Sequence, residues 1–319
     1  MPASIKFILM KKVNLFLGIS ALLLAVTIIS CDKKGSDDDA TNFDEEAAAQ
    51  SDDQYSFSSQ IDAVAADANL VISTNGSLTG REHDVVAGLC NATFTANTAG
   101  DPKTVTITYN GANCINTYSR TGTVTVSMPA NTTWKTAGAV VTVTYNNLVV
   151  TRTIDSKSIT INGSHTITNV SGGLLVNLAN GPITHSVTSQ GISVKFGNET
   201  ARTWKVSRQQ VYSYNNGIVL TISGTHTEGN VTGIAEWGTN RFGREFTSVI
   251  SEPLVFRQDC NFRLTAGQVK HTVPVFNATA TFGLDTNGES ASCPGLGAYY
   301  CKINWTGPNN NSHTVIFPY

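Results

Sequence analysis

Charge is scarce in this chain. Lys, Arg, Asp and Glu together make up 14% of 319 residues and the formal net charge is −2. From residue 55 onward the balance is 16 Lys+Arg against 14 Asp+Glu, so no basic patch of the size that nucleic acid requires is present in the sequence, and no nucleic-acid partner is expected. The motifs of common chemistry are missing as well: there is no G-x-S-x-G, no H-E-x-x-H and no P-loop. The six histidines are scattered, and the cysteines lack the tight paired spacing of a zinc site, so no metal and no cofactor is expected. With 265 residues beyond position 54 there is nonetheless ample length to bury a core.

What is present begins at the N-terminus. Lys6, Lys11 and Lys12 precede an apolar run from Val13 to Ile29, then comes Ser30 and then Cys31. A basic segment, an apolar segment and a small residue before cysteine form the grammar of a secretory signal cut by a lipoprotein peptidase, with residues 1–30 removed and Cys31 acylated. Met10 with its two lysines is a more usual start for such a signal. The run is 17 residues long, just short of the roughly 20 of a spanning helix. Several acyl chains on one cysteine hold a domain durably at a membrane surface, at about 0.8 kcal/mol per buried methylene. Residues 31–54 hold nine acids against Lys33 and Lys34 and read as an extended, disordered tether. The body is then residues 55–319, with a division into two sub-units placed near 190–200.

From Lys103 onward apolar and hydroxyl residues alternate with period two. Val105, Ile107 and Tyr109 oppose Thr104, Thr106 and Thr108; Val141, Val143 and Tyr145 oppose Thr142 and Thr144. Turn signals such as Asn110-Gly111, Asn162-Gly163, Asn215-Asn216-Gly217 and Asn287-Gly288 separate the runs. The fold class is all-β, an antiparallel sandwich, roll or extended sheet. One stretch is different: Ile61, Val64, Ala65 and Ala68 share a helical face, which gives a short helix from Ser59 to a stop at Asn75-Gly76. An internal repeat relates Ile161–Gly172, I-N-G-S-H-T-I-T-N-V-S-G, to Ile222–Gly233, I-S-G-T-H-T-E-G-N-V-T-G. It places His165 and His226 in equivalent positions, where two neighbouring units would let the imidazoles converge.

Without Cys31 five thiols remain. A hairpin brings Cys90 to Cys114, and the Pro- and Gly-rich loop around Cys293 reaches Cys260, leaving Cys301 as a buried free thiol; Cys260 with Cys301 is the alternative pairing. For function, the segment Trp237–Phe246 gathers Trp237, Arg241, Phe242 and Arg244 in a Gly-rich loop suited to holding a sugar or an anion. Glu228, Glu236, Glu245, Glu252 and Asp259 supply the carboxylates that a polysaccharide hydrolase or lyase would pair, and no catalytic residue is assigned.

The lysine and clustered acids after Cys31 resemble the surface-export signal of Bacteroidota lipoproteins. The body, through Cys90, the run Pro102–Cys114, R-T-G-T-V from Arg120 and Cys260–Gly267, resembles a group of all-β Bacteroidota lipoproteins with no assigned activity. The resemblance implies an all-β fold and a lipid anchor. Together these readings give a membrane-anchored, non-enzymatic binding or structural module of the outer membrane or cell surface, on either its outer or its periplasmic face. Its partners would be the membrane, through the lipid, and a glycan or envelope protein. The alternatives are the polysaccharide enzyme and a periplasmic lipid or lipopolysaccharide carrier with an apolar groove open to solvent.

Overall fold

The computed structural model describes residues 38–74, 78, 89–113, 116–197, 201–260, 263–274, 276–293, 299–306 and 312–318. Cys31, the signal segment and Cys114 lie outside them. One helix, α1 (Asp38–Thr74), precedes fifteen strands: β1 (Ala92–Asn97), β2 (Lys103–Ala112), β3 (Tyr118–Met128), β4 (Ala139–Arg152), β5 (Ser158–Asn169), β6 (Ile183–Phe196), β7 (Ala201–Tyr214), β8 (Ile218–Gly224), β9 (His226–Glu228), β10 (Val231–Thr239), β11 (Glu245–Arg257), β12 (Arg263–Val273), β13 (Phe276–Leu284), β14 (Tyr300–Thr306) and β15 (Ser312–Pro318). All belong to one antiparallel sheet, ordered β1 to β7, then β10 to β15. The chain is therefore all-β apart from the N-terminal helix, as the alternating pattern dictates.

Two features of the sheet differ from the sequence reading. The division placed near 190–200 is bridged, because β6 and β7 pair from Ile183↔Tyr212 to Lys195↔Ala201. Moreover, β8 and β10 share one rank between β7 and β11: β8 pairs with the Arg208–Tyr214 end of β7 and β10 with its Thr203–Val206 end. Of the two repeat copies, the first lies largely in β5 and the second in β8 and β9 with the turn beyond, so β6 and β7 separate them. They are not stacked neighbours, and the duplication carries no shared site.

The sheet is curled around α1. Phe57, Ile61, Val64, Ala68, Val71 and Ile72 of the helix are buried in a single apolar cluster with side chains from β2 through β7 and with Phe246, Val273 and Phe276 on β11, β12 and β13. Strands stand about 4.8 Å apart, so a flat sheet would spread those strands over several helix diameters. Only a curved sheet lets them converge on one helix.

A row of irregularities crossing the long strands supplies the curvature. The register shifts between Thr121 and Thr123 on β3, Tyr145 and Leu148 on β4, Ser164 and Thr166 on β5, and Ser189 and Ile192 on β6. Bulges bend and twist the strand that carries them, and here the extra residues sit on β4, against β3 and β5, and on β6, against β5 and β7. Gly122 sits in this row with φ +108°, and a Cβ there would come 2.2 Å from the Asn147 carbonyl oxygen. Gly191, in the same row, has open space around its missing Cβ. Gly122→Ala is therefore expected to lower stability by about 2 kcal/mol, whereas Gly191→Ala should stay within about 0.5 kcal/mol. Urea denaturation of the two variants side by side measures this, and equal losses would remove the role assigned to the close approach at Gly122.

Candidate functional site

The helix starts 21 residues before the position expected from its apolar face. It thereby absorbs residues 38–54, most of the segment 31–54 read as a disordered tether. E-E-A-A-A-Q, from Glu45, is made of strong helix formers, and Asp38 and Asp39 stand at the positive end of the helix dipole. From Gln50 onward two seven-residue series face the sheet. Gln50, Phe57, Val64 and Val71 are fully buried; Asp53, Gln60 and Asp67 form the second series, with Asp53 and Gln60 buried and Asp67 partly so. The second series is wholly polar, and its partners are arginines on the inner face of the sheet.

The pairs run along the length of the helix. Arg241, from the β10–β11 loop, donates from Nε to Asp53 Oδ2 at 2.6 Å and pairs again through Nη2. Arg152, at the end of β4, grips Asp52 with both terminal nitrogens at 2.7 and 3.1 Å and Asp155 through Nε at 2.9 Å. Arg202 donates from Nη2 to Gln54 Oε1 at 2.7 Å and lies over the edge-to-face pair of Trp204 and Phe246, 4.2 and 4.6 Å from their centres. Arg208 reaches Asp62 at 3.4 Å and pairs with Glu236, which also accepts from Ser58 Oγ at 3.2 Å and from Gln54. Further along, Arg120 donates to Gln60 at 2.9 Å and to Asp67 at 3.2 Å, where the Tyr109 hydroxyl also donates at 2.9 Å.

Burial and pairing pull these groups in opposite directions. Desolvation raises the carboxyls of Asp53, Asp62 and Asp67 despite their arginines. It lowers Arg208 and brings Arg202 down to about 9. At Asp52 burial also opposes ionisation, but the hydrogen bonds from Arg152 and Lys157 win and hold it below the usual carboxylate range. Asp155, more exposed, is held at about 2 by its bond from Arg152. Charges taken out of water repay their desolvation only with good geometry, so this seam fixes the helix's register and direction more than it adds net stability.

Where the first turns of the buried part of α1 meet the ends of β4, β5 and β6, a cleft of about 290 Å³ opens. Asp52, Asp53, Arg152, Lys157 and Arg241 line its polar side, and Val150, Ile159 and Phe196 its apolar side. Lys157 is its most solvent-exposed cation, 66% exposed, and lies 2.9 Å from Asp52.

The loop expected to hold a ligand is divided between the two faces of the sheet. Arg241 turns inward to Asp53 and covers the Phe196 ring at 3.9 Å. Trp237 turns the other way and stacks on His226, with centroids 4.0 Å apart and planes 8° from parallel. Phe242 is exposed at the tip and Arg244 is half-buried. The four do not form one site, because Trp237 sits on β10 whereas Arg241, Phe242 and Arg244 lie beyond its end at Thr239, where the turn carries Arg241 back to the helix. Among the carboxylates, Glu236 is buried and spent on Arg208, Gln54 and Ser58, while Glu228, Glu245 and Glu252 are exposed and Asp259 is paired with Arg257. His165 is buried against the Tyr145 hydroxyl at 3.1 Å, far from the role of His226 as a stacking partner.

Cys260 and Cys293 are joined in a disulfide, and Cys301 is a buried free thiol that burial pushes up to about 12. This is the first of the two pairings open from the sequence. Cys90 is disulfide-bonded, and its expected partner Cys114 lies outside the described residues. No described helix is long and apolar enough to cross a membrane.

Sequence reasoning missed Asp52 and Asp53, which it assigned to the tether, and Arg120, Arg152, Arg202 and Arg208. A signal for them exists: the seven-residue series on the helix, and the alternation Arg202, Trp204, Val206, Arg208 that puts two arginines on the buried face of β7. Comparison with protein-family models, with curated proteins and with solved structures finds no match for the chain.

Proposed function

We propose that the protein is a lipid-anchored, non-enzymatic binding or structural module of the outer membrane or cell surface, acylated at Cys31. The observation that carries this reading is the fastening of the segment after Cys31 into the core. Asp52 and Asp53 are gripped by Arg152 and Arg241 on the sheet. A loose tether needs no such attachment; a segment that transmits the position of an anchor to a rigid body does. Six residues separate Cys31 from the start of α1, a reach of about 25 Å over seven Cα steps at full extension, so the helix would begin close to the bilayer. The polysaccharide enzyme is less well supported, because Glu236 already has its full set of partners and faces the helix. The carrier reading is weakened by α1, which fills the apolar trough that a lipid would need.

Labelling cells with an alkyne fatty acid, followed by fractionation, tests the anchor. The wild-type chain should take up label and sediment with membranes, and Cys31→Ala should be unlabelled and more than tenfold enriched in the soluble fraction. Label or membrane attachment that survives the substitution would reject the reading. Protease shaving of intact cells then separates outward display from a periplasmic position.

A further inference from the structure

We propose that the cleft beside α1 binds one or two rings of a neutral saccharide. This deepens the binding half of the reading above and is independent of the anchor at Cys31. Its volume, about 290 Å³, stands at the lower end of small-ligand sites. Arg152 and Lys157 both pair with Asp52 in the cleft and with Asp155 just outside its lining, and Arg241 pairs separately with Asp53. Their charges cancel, so the cleft has little field with which to draw an anionic lipid headgroup or a metal cation.

Charged groups already locked to one another offer fixed acceptors beside fixed donors. A sugar hydroxyl can donate to a carboxylate oxygen and accept from the neighbouring ammonium or guanidinium, and vicinal hydroxyls do so in pairs. The apolar side presents Val150 and Ile159, with the Phe196 ring behind Arg241, to the C–H face of a pyranose ring. The helix-to-sheet ion pairs hold these side chains in place before any ligand arrives, which lowers the cost of ordering them on binding. A metal would have to take Asp52 and Asp53 from bidentate arginines, and a phosphate would have to take Lys157 from Asp52 and Asp155.

The test uses the full-length chain in a detergent without sugar groups and a panel of neutral and acidic mono- and disaccharides, read by saturation-transfer NMR and then by calorimetry. At least one neutral saccharide should bind with a Kd of about 1 mM or tighter. Lys157→Ala should weaken it at least fivefold with thermal unfolding unchanged, since that side chain is largely exposed. Cys31→Ala should bind as the wild type does even where it abolishes membrane attachment, which keeps this outcome separate from that of the anchor. Absence of binding by every neutral saccharide, binding that ignores Lys157→Ala, or Lys157-dependent capture of vesicles containing phosphatidylglycerol in place of sugars would each overturn the proposal.

Discussion

Glu236→Ala is expected to lower the stability of the folded protein by about 3–5 kcal/mol. Glu236 is 3% exposed and Arg208 is 9% exposed. The substitution leaves the guanidinium of Arg208 in the core with only the more distant Asp62, 3.4 Å away, for a counter-charge, and it strips Gln54 and Ser58 of their acceptor. The cost is that of an uncompensated buried charge, so removing the other member of the pair as well should recover much of it. Arg208→Met with Glu236→Leu is expected to return to within about 2 kcal/mol of the wild type. Urea midpoints and m-values for the two variants measure both effects. A single substitution that costs less than about 1 kcal/mol, or a double that is as damaged as the single, would mean that the seam does not hold the helix in the way described.

Acid is expected to act on a similar scale through three buried histidines. Burial holds His165, His185 and His271 at about 4, against 6.5 when exposed. His165 lies against Tyr145, His185 between the rings of Trp134 and Tyr212, and His271 against Ser248, Phe246 and Phe276. A base whose folded pKa is depressed leaves the unfolded chain with more bound protons between the two values. Stability is thus fully present above pH 6.5 and is lost as pH falls toward 4. At pH 5 each histidine contributes a loss of about 2 kcal/mol. Asp53, Asp62 and Asp67, raised by desolvation, work in the opposite sense: the folded state takes their protons first, which favours folding as pH falls through their folded values. His185→Phe isolates the histidine part: the variant should lose about 2 kcal/mol less than the wild type between pH 7 and pH 5 in denaturant unfolding, and identical profiles would show that this imidazole is not buried neutral.

The positions of many strands were legible because each carries its own instruction. Val105, Ile107 and Tyr109 alternate with threonines, and all three are buried in β2. Asn-Gly turns mark the ends, and short antiparallel connections do the rest. The disulfide between Cys260 and Cys293 and the free Cys301 were also within reach, since a loop position and a strand parity are local facts.

The charged seam was not legible, and the reason is physical. Asp52 and Asp53 stand in a run of acids whose composition is that of a disordered tether, and no Lys or Arg stands between Lys34 and Arg81 to supply a counter-charge. Their partners, Arg152 and Arg241, lie 100 and 188 residues further on. Likewise, Trp237, Arg241, Phe242 and Arg244 are close in sequence, but β10 ends at Thr239 and the turn beyond it carries Arg241 to the face opposite Trp237.

By itself, then, the sequence determined the class of fold, the positions of strands and turns, the presence of a helix and the grammar of an anchor at Cys31, all of which depend on residues within a few positions of one another. Only the tertiary structure decided how far the helix reaches, that the sheet curls around it, and where a cleft with balanced charge opens. Those outcomes depend on curvature supplied by the bulges on β4 and β6, and on pairing free energies between residues that meet only once the sheet has curled.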